Sequence, residues 1–228
     1  MALRGFLVDG TPDAAIDMFT NGVKIYPLNQ AKNPPKMEFI NRSGAEFNTI
    51  HANNFDFYEE FHTVIEREPV SFLDPELRGL FASIGIQKGK TFAPDERMTK
   101  ILTDAVAIGN ATARALALRL RDESCCIYPD SGWWYPIPGG SYEWLKDGGD
   151  GGRNLDARTL FFYQAMLNTP AMMMKMIGVG SQYAVVSTDS AGHPFDGAKT
   201  YRLALPANVP AKDFWAVVAY DPQTRSEL

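Results

Sequence analysis

His51 lies in the run Asn48-Thr49-Ile50-His51-Ala52-Asn53-Asn54-Phe55-Asp56. An imidazole among amides and a carboxylate has the groups of a general base or a metal ligand. The same groups also serve a histidine that makes structural hydrogen bonds ahead of a helix N-cap, which is the commoner use. His62 has Glu59 and Glu66 three and four residues away, so the three share one side of a helix. That set would hold a metal ion, or would simply be a solvated charged side. His193 sits beside a turn and reads as a surface residue. Trp133, Trp134, Tyr135, Tyr142 and Trp144 are the densest aromatic group. Exposed, they would stack on a sugar ring or aromatic ligand, with Asp130, Glu143 or Arg153 fixing its polar groups. Buried, each would contribute about 2–3 kcal/mol to a seam between layers. His51 is thus the catalytic candidate. Trp133, Trp134, Tyr142, Trp144 and Arg153 are the ligand-binding candidates, and no metal set or cofactor site is expected.

Other features carry less chemistry. Asp147-Gly148-Gly149-Asp150-Gly151-Gly152 would wrap calcium through carboxylates and carbonyls, but its spacing is not that of an EF-hand and a connector explains it as well. Gly178-Val179-Gly180-Ser181 precedes a strand pattern, a poor context for a phosphate cradle. Met172, Met173, Met174 and Met176 are adaptable filler for a junction. Cys125 and Cys126 are the only cysteines and are adjacent, which suits neither a staple nor a zinc site. There is no Gly-x-Ser-x-Gly elbow. The net charge of −5 and the lack of a basic run argue against a nucleic-acid or anionic-membrane partner. No uninterrupted apolar run of about 18 residues is present, so no membrane span is expected. The opening MALRGFLVDG lacks a signal peptide's apolar core, which makes the cytoplasm the default expectation.

These groups must be positioned by the elements around them. Thr11, Pro12, Asp13 and Gly22 mark the ends of a first helix. Helices are predicted over Phe55–Glu68, from Asp74-Pro75-Glu76 to Gly85, and from Pro94-Asp95-Glu96 onward. In the last, Met98, Ile101, Leu102, Ala105 and Ile108 form an apolar stripe, followed by a small-residue half suited to close packing. Residues 124–152 are dense in Trp, Tyr, Pro and Gly, which excludes helix over most of them. Asn154 caps a helix from Leu155, and Thr169-Pro170 restarts a shorter one. Beyond Gly178 the pattern turns to strands: Gln182–Thr188, an alternating Tyr201/Leu203/Leu205, and Phe214–Tyr220 with both faces apolar.

A strand apolar on both faces belongs inside a sheet, and three strands cannot surround it. An orphaned buried peptide group costs roughly 1–3 kcal/mol. Either another chain pairs with this edge, as in a homo-oligomer, or the chain is a piece of a longer protein; the second is the expectation.

The segments LVDGTPDAA, GVKIYPL, FNTIHANNFDFYEEF, FAPDERM, GNATARA, GGSYEWL, RNLDARTLFFYQA, TPAM, VGSQYA and DGAKTYRLALPANVPAKDFWAVVAYDPQTRS closely resemble bacterial proteins that join domain of unknown function (DUF) 1254 to domain of unknown function (DUF) 1214. The resemblance covers nearly the whole chain. It implies an α+β fold: the tail of an N-terminal β-sandwich domain over residues 1–40, a helical linker over 41–123, and the first part of a C-terminal domain over 124–228. That last domain is an incomplete antiparallel jelly-roll-like β-sandwich, whose opening strands start near Val179. Family members extend beyond both ends of this chain and are often exported. The family has no assigned activity, so it carries no catalytic residues across. The function expected is therefore non-catalytic ligand binding or assembly, with a small molecule or glycan as ligand. The alternative is a glycan or ester hydrolase with a His–carboxylate site, with or without a metal ion to assist it.

Overall fold

The computed structural model describes residues 9–46, 48, 50–119, 121–137, 141–165, 168–173, 182–212 and 214–228. The chain divides into two compact units, Met1–Phe47 and Asn48–Leu228. In the first, α1 (Asp13–Asp17) starts after Pro12 and widens into a π-turn over Met18–Gly22. The Val23 N–H closes that turn on the Met18 carbonyl at 3.0 Å. The closing bond ends the helix without a left-handed residue, so Gly22 does not take the C′ role its position suggests. No described residue of this unit is buried.

The second unit is built on helices whose starts follow their capping residues. Helix α2 covers Asp56–Arg67, α3 Pro75–Ser83 and α4 Glu96–Leu118. The Asp74 carboxylate accepts from the Leu77 N–H at 2.9 Å, and Asp95 from the Met98 N–H at 2.7 Å. Each satisfies a donor left open by the first helical turn and places a negative charge at the positive helix end. The Lys88 ammonium closes the other end of α2 by donating to the carbonyls of Glu66 and Glu68. Tyr58 of α2, Ile86 and Leu102 of α4 form one core, ringed by Phe55, Phe61, Phe81 and Phe92. Phe61 and Phe81 meet edge to face at 4.5 Å.

The second half of α4 packs against α5 (Leu155–Gln164), capped by the Asn154 carboxamide on the Ala157 N–H at 3.1 Å. Small residues there let the helices approach closely. Leu116, Trp134 and Leu160 form the core between them. In a separate cluster, Ala157 and Phe161 of α5 join Ile137, Trp144 and Met173 of α6 (Pro170–Met173). The apolar stripe of α4 divides accordingly. Leu102 is buried, whereas Ile101 and Ile108 face outward. By length and composition α4 could also cross a membrane.

The expected antiparallel jelly-roll-like β-sandwich is not what forms: the regular structure among the described residues is helical. Cys126–Trp134, Trp134–Val185, Leu145–Arg153, Thr188–Pro194 and Tyr220–Glu227 are isolated antiparallel bridges that do not propagate into ladders. Tyr201, Leu203, Leu205 and Phe214–Tyr220 have strand patterns but stay exposed. Apolar alternation makes a face suitable for a sheet; only a neighbouring strand supplies the hydrogen bonds, and these segments do not pair with one another.

Leu160 is fully buried between α4 and α5, while Ile108 is 66% exposed on the same layer. Leu160→Ala is expected to cost about 2–5 kcal/mol in urea unfolding, and Ile108→Ala less than about 0.5 kcal/mol. Equal losses would mean that α4 presents a different side to α5.

Candidate functional site

Three polar residues stand in the small-residue half of α4: Thr112, whose hydroxyl donates to the Ile108 carbonyl, and Asn110 and Arg114, one helical turn apart and so on one side. His51 reaches this side from the chain ahead of α2. Its Nε2 lies 3.1 Å from Asn110 Oδ1, and its ring meets Tyr163 of α5 edge-on, with centroids 5.8 Å apart. The third partner is Arg225, 174 positions later, whose Nη2 contacts His51 Nδ1. A guanidinium has only donors, so Nδ1 must accept and Nε2 carries the proton donated to Asn110. Both ring nitrogens are therefore engaged, and His51 keeps no lone pair with which to take a proton from a substrate.

Arg225 is delivered by a tight turn. The Asp221 carboxylate accepts from the Gln223 N–H at 2.8 Å and the Thr224 N–H at 2.7 Å, and the Arg225 N–H closes on the Asp221 carbonyl at 2.8 Å. Arg225 itself takes a left-handed φ of 60°, at a cost on the order of 1 kcal/mol for a residue with a side chain. Gln223 faces Arg114. With its amide oriented to satisfy both groups, its oxygen accepts from Nη1 at 2.7 Å. The Thr224 and Gln223 N–H groups hold the Asp221 carboxyl below its ordinary range, with the Arg114 charge adding to them. The cluster is a polar lock fastening the 221–225 turn to α4 and α5. Among its atoms, Arg225 Nε is buried without a partner.

The aromatic candidates are dispersed. Trp134 is buried with Leu116 and Leu160, and its backbone exchanges two 2.9 Å hydrogen bonds with Val185. Trp144 is buried in the other core, at a left-handed φ of 55°, and its indole Nε1 lacks a partner. Trp133 is half-buried, and Tyr142 and Arg153 are exposed. The two buried tryptophans lie in separate cores and do not build one stacking platform. His62 lies 2.8 Å from the Lys90 carbonyl and 3.6 Å from Glu66, without Glu59. His193 is exposed beside Asp189. Among the described residues no three His, Cys, Asp or Glu side chains gather as a metal site would require. Cys125 is buried and Cys126 exposed, with no disulfide between them.

The Asp147–Gly152 segment closes on the Lys146 carbonyl, which accepts from the Gly149 and Gly151 N–H groups at 3.0 Å. A Cβ at Gly151 would come within 2.5 Å of the Asp147 carboxylate and 2.9 Å of Lys146 Cβ, so the turn requires glycine there. Met173 is buried and Met172 exposed, while Met174, Met176 and 178–181 lie outside the described residues. A cleft of about 490 Å³ opens beside the start of α5, lined by Arg121, Asp122, Glu123, Lys146, Asn154 and Asp156. Its charges nearly cancel, and Asn154 and Asp122 are bonded to each other at 2.7 Å.

Sequence reasoning singled out His51 but missed Asn110, Arg114 and Arg225. The available signal was Asn110 and Arg114 at i and i+4, with Thr112 the other polar residue in the small, apolar half of the helix.

Because the folded Asp221 carboxyl titrates below its unfolded value, its contribution is complete above the unfolded value of about 3.9 and is lost as pH falls through the folded one. Carbon-13 titration of Asp221 should give a midpoint below that of a model Asp peptide, and the Thr224 amide should shift with the same midpoint. An unshifted midpoint would mean that the turn does not hold in solution.

Residues 180–228 match the model of a family described as a protein of unknown function, DUF1214. No curated protein matches the chain.

Proposed function

We propose that this protein is a non-catalytic assembly module: a helical body that holds out an apolar carboxyl-terminal segment for another polypeptide to cover. The observation that carries this reading is Phe214–Tyr220. The segment has no charged residue, and Phe214, Trp215, Val217, Val218 and Tyr220 are all exposed, Phe214 at 83%. Contiguous apolar surface on that scale marks an interaction site. The lock at 221–225 supports the same reading, because it anchors the segment's far end to the helices without drawing its side chains into the core. Catalysis finds less support, since Arg225 and Asn110 engage both nitrogens of His51. Small-molecule binding finds less as well, since Trp134 and Trp144 lie in separate cores. The DUF1214 match supports a role within that uncharacterised family. The likeness of the LVDGTPDAA and FNTIHANNFDFYEEF segments to DUF1254 proteins supports extending that role to a two-domain family.

Replacing Trp215 and Val217 together by lysine should abolish binding of an apolar fluorescent dye while the helical circular dichroism and Tm stay at wild-type values. If the double variant unfolds, the segment is core, and the assembly reading is wrong.

A further inference from the structure

We infer that His51 and Arg225 form an acid-released latch: a proton taken up at His51 Nδ1 detaches the 221–225 turn from the imidazole.

The two ring nitrogens have different partners. Nε2 carries a hydrogen and donates to Asn110 Oδ1 at 3.1 Å, while Nδ1 keeps a lone pair and accepts from Arg225 Nη2. Only Nδ1 can therefore take up a further proton. The N–H so formed has no acceptor in a guanidinium, which carries donors alone. The proton and the Arg225 contact exclude each other. Protonation also sets an imidazolium beside a guanidinium, two like charges where there was a hydrogen bond. The Asn110 side is untouched, because Nε2–H donates in both forms. His51 thus stays on α4 and lets go of the turn alone.

The groups around the ring leave this exchange uncompensated. Besides Arg225, the turn presents Asp221, whose carboxylate accepts from the Gln223 and Thr224 N–H groups. From α4 come the neutral Asn110 and, one helical turn on, the cation Arg114. From α5 comes the Tyr163 ring. On the stretch of chain that carries His51, the Asp56 carboxylate accepts from Asn54 Nδ2 at 3.0 Å. Among the described residues no carboxylate pairs with His51; the histidine ion pairs are His62–Glu66 and His193–Asp189. A carboxylate at the ring would hold an imidazolium in place, whereas Arg225 can only repel it.

Imidazole side chains change charge between about pH 5 and 8. Asp221 stays ionised through that interval, since the turn amides hold its carboxyl below the ordinary range. The bonds inside the turn therefore survive. So does the contact of Gln223 with Arg114, neither of which titrates there. Mild acid removes one of two fastenings on the turn. It loosens the far end of Phe214–Tyr220 from the helices, whether or not a partner covers that segment.

Urea unfolding of the wild-type chain and of Arg225→Ala at about pH 7.5 and about pH 5.0 brackets the imidazole range. At the higher pH the unfolding constant of Arg225→Ala should exceed that of the wild type about ten-fold, as for one hydrogen bond to a charged group. At the lower pH the difference should vanish or reverse. In a His51→Gln background the carboxamide oxygen accepts from Arg225 but takes no proton, so the loss from Arg225→Ala should be the same at both values. A pH-independent loss in the wild-type background overturns the latch, as does a loss that still disappears in acid with His51→Gln. Nitrogen-15 NMR of the wild type needs no variant to fold. His51 should carry its hydrogen on Nε2 at about pH 7.5, and the Arg225 Nη2 signal should move with the same midpoint as Nδ1 as the pH falls. A ring with its hydrogen on Nδ1 at the higher pH, or an Arg225 signal that does not follow the ring, overturns the latch as well.

Discussion

A single guanidinium ties the two ends of the larger unit together. Arg225 meets His51 across 174 positions, and that contact determines the tautomer of the ring and so the bond from His51 to Asn110 on α4. Three elements thereby share one polar network: the chain ahead of α2, the middle of the longest helix, and the carboxyl-terminal turn. Such a network tolerates little substitution. Removing one member leaves a half-buried donor or acceptor unpaired at about 1–3 kcal/mol, whereas the intact set contributes only modestly. The left-handed Arg225 backbone is part of the arrangement, since it sends the side chain back across the turn toward the helices.

The helical part of the fold was legible because its signals are local. Asp74, Asp95 and Asn154 each cap the helix that their neighbours predict, through a hydrogen bond to a residue three positions on. The Asp-Pro-Glu start of α3 needs no distant information. Which side of α4 would be buried was less legible. Its residues are apolar or small over most of the circumference, so periodicity could not distinguish Leu102 from Ile101; α2, α3 and the loop at Ile86 made that choice. The candidate site was legible only at His51. Its partners come from positions 110 and 225, and nothing within a short window of sequence joins them.

The strand patterns illustrate the opposite case. Phe214–Tyr220 and Tyr201–Leu205 have the composition of sheet residues, yet only isolated bridges form near them. A helix satisfies its own peptide groups, so a capped, periodic segment folds wherever its apolar side finds cover. A strand cannot satisfy its own, and its pattern is a demand on a neighbour. The β-sandwich read from these segments was expected to be incomplete, with the neighbours of Phe214–Tyr220 outside this chain; the strand patterns the chain does hold form only isolated bridges. The same pattern in 182–188 gave two isolated pairings, Trp134 with Val185 and Thr188 with Pro194, neither of which extends into a ladder.

That demand is also the strongest functional argument the molecule offers. Evolution blunts open edges with charges, prolines, bulges or covering loops when they have no use. Phe214–Tyr220 has no charge and no proline, and Pro222 lies beyond its end. The lock at 221–225 holds the end of the segment against the helices, which reduces the entropy lost when a partner strand arrives. An active site would put such rigid anchoring beneath a reactive group. Here it lies beside an apolar strip, and the one histidine within it has both nitrogens occupied.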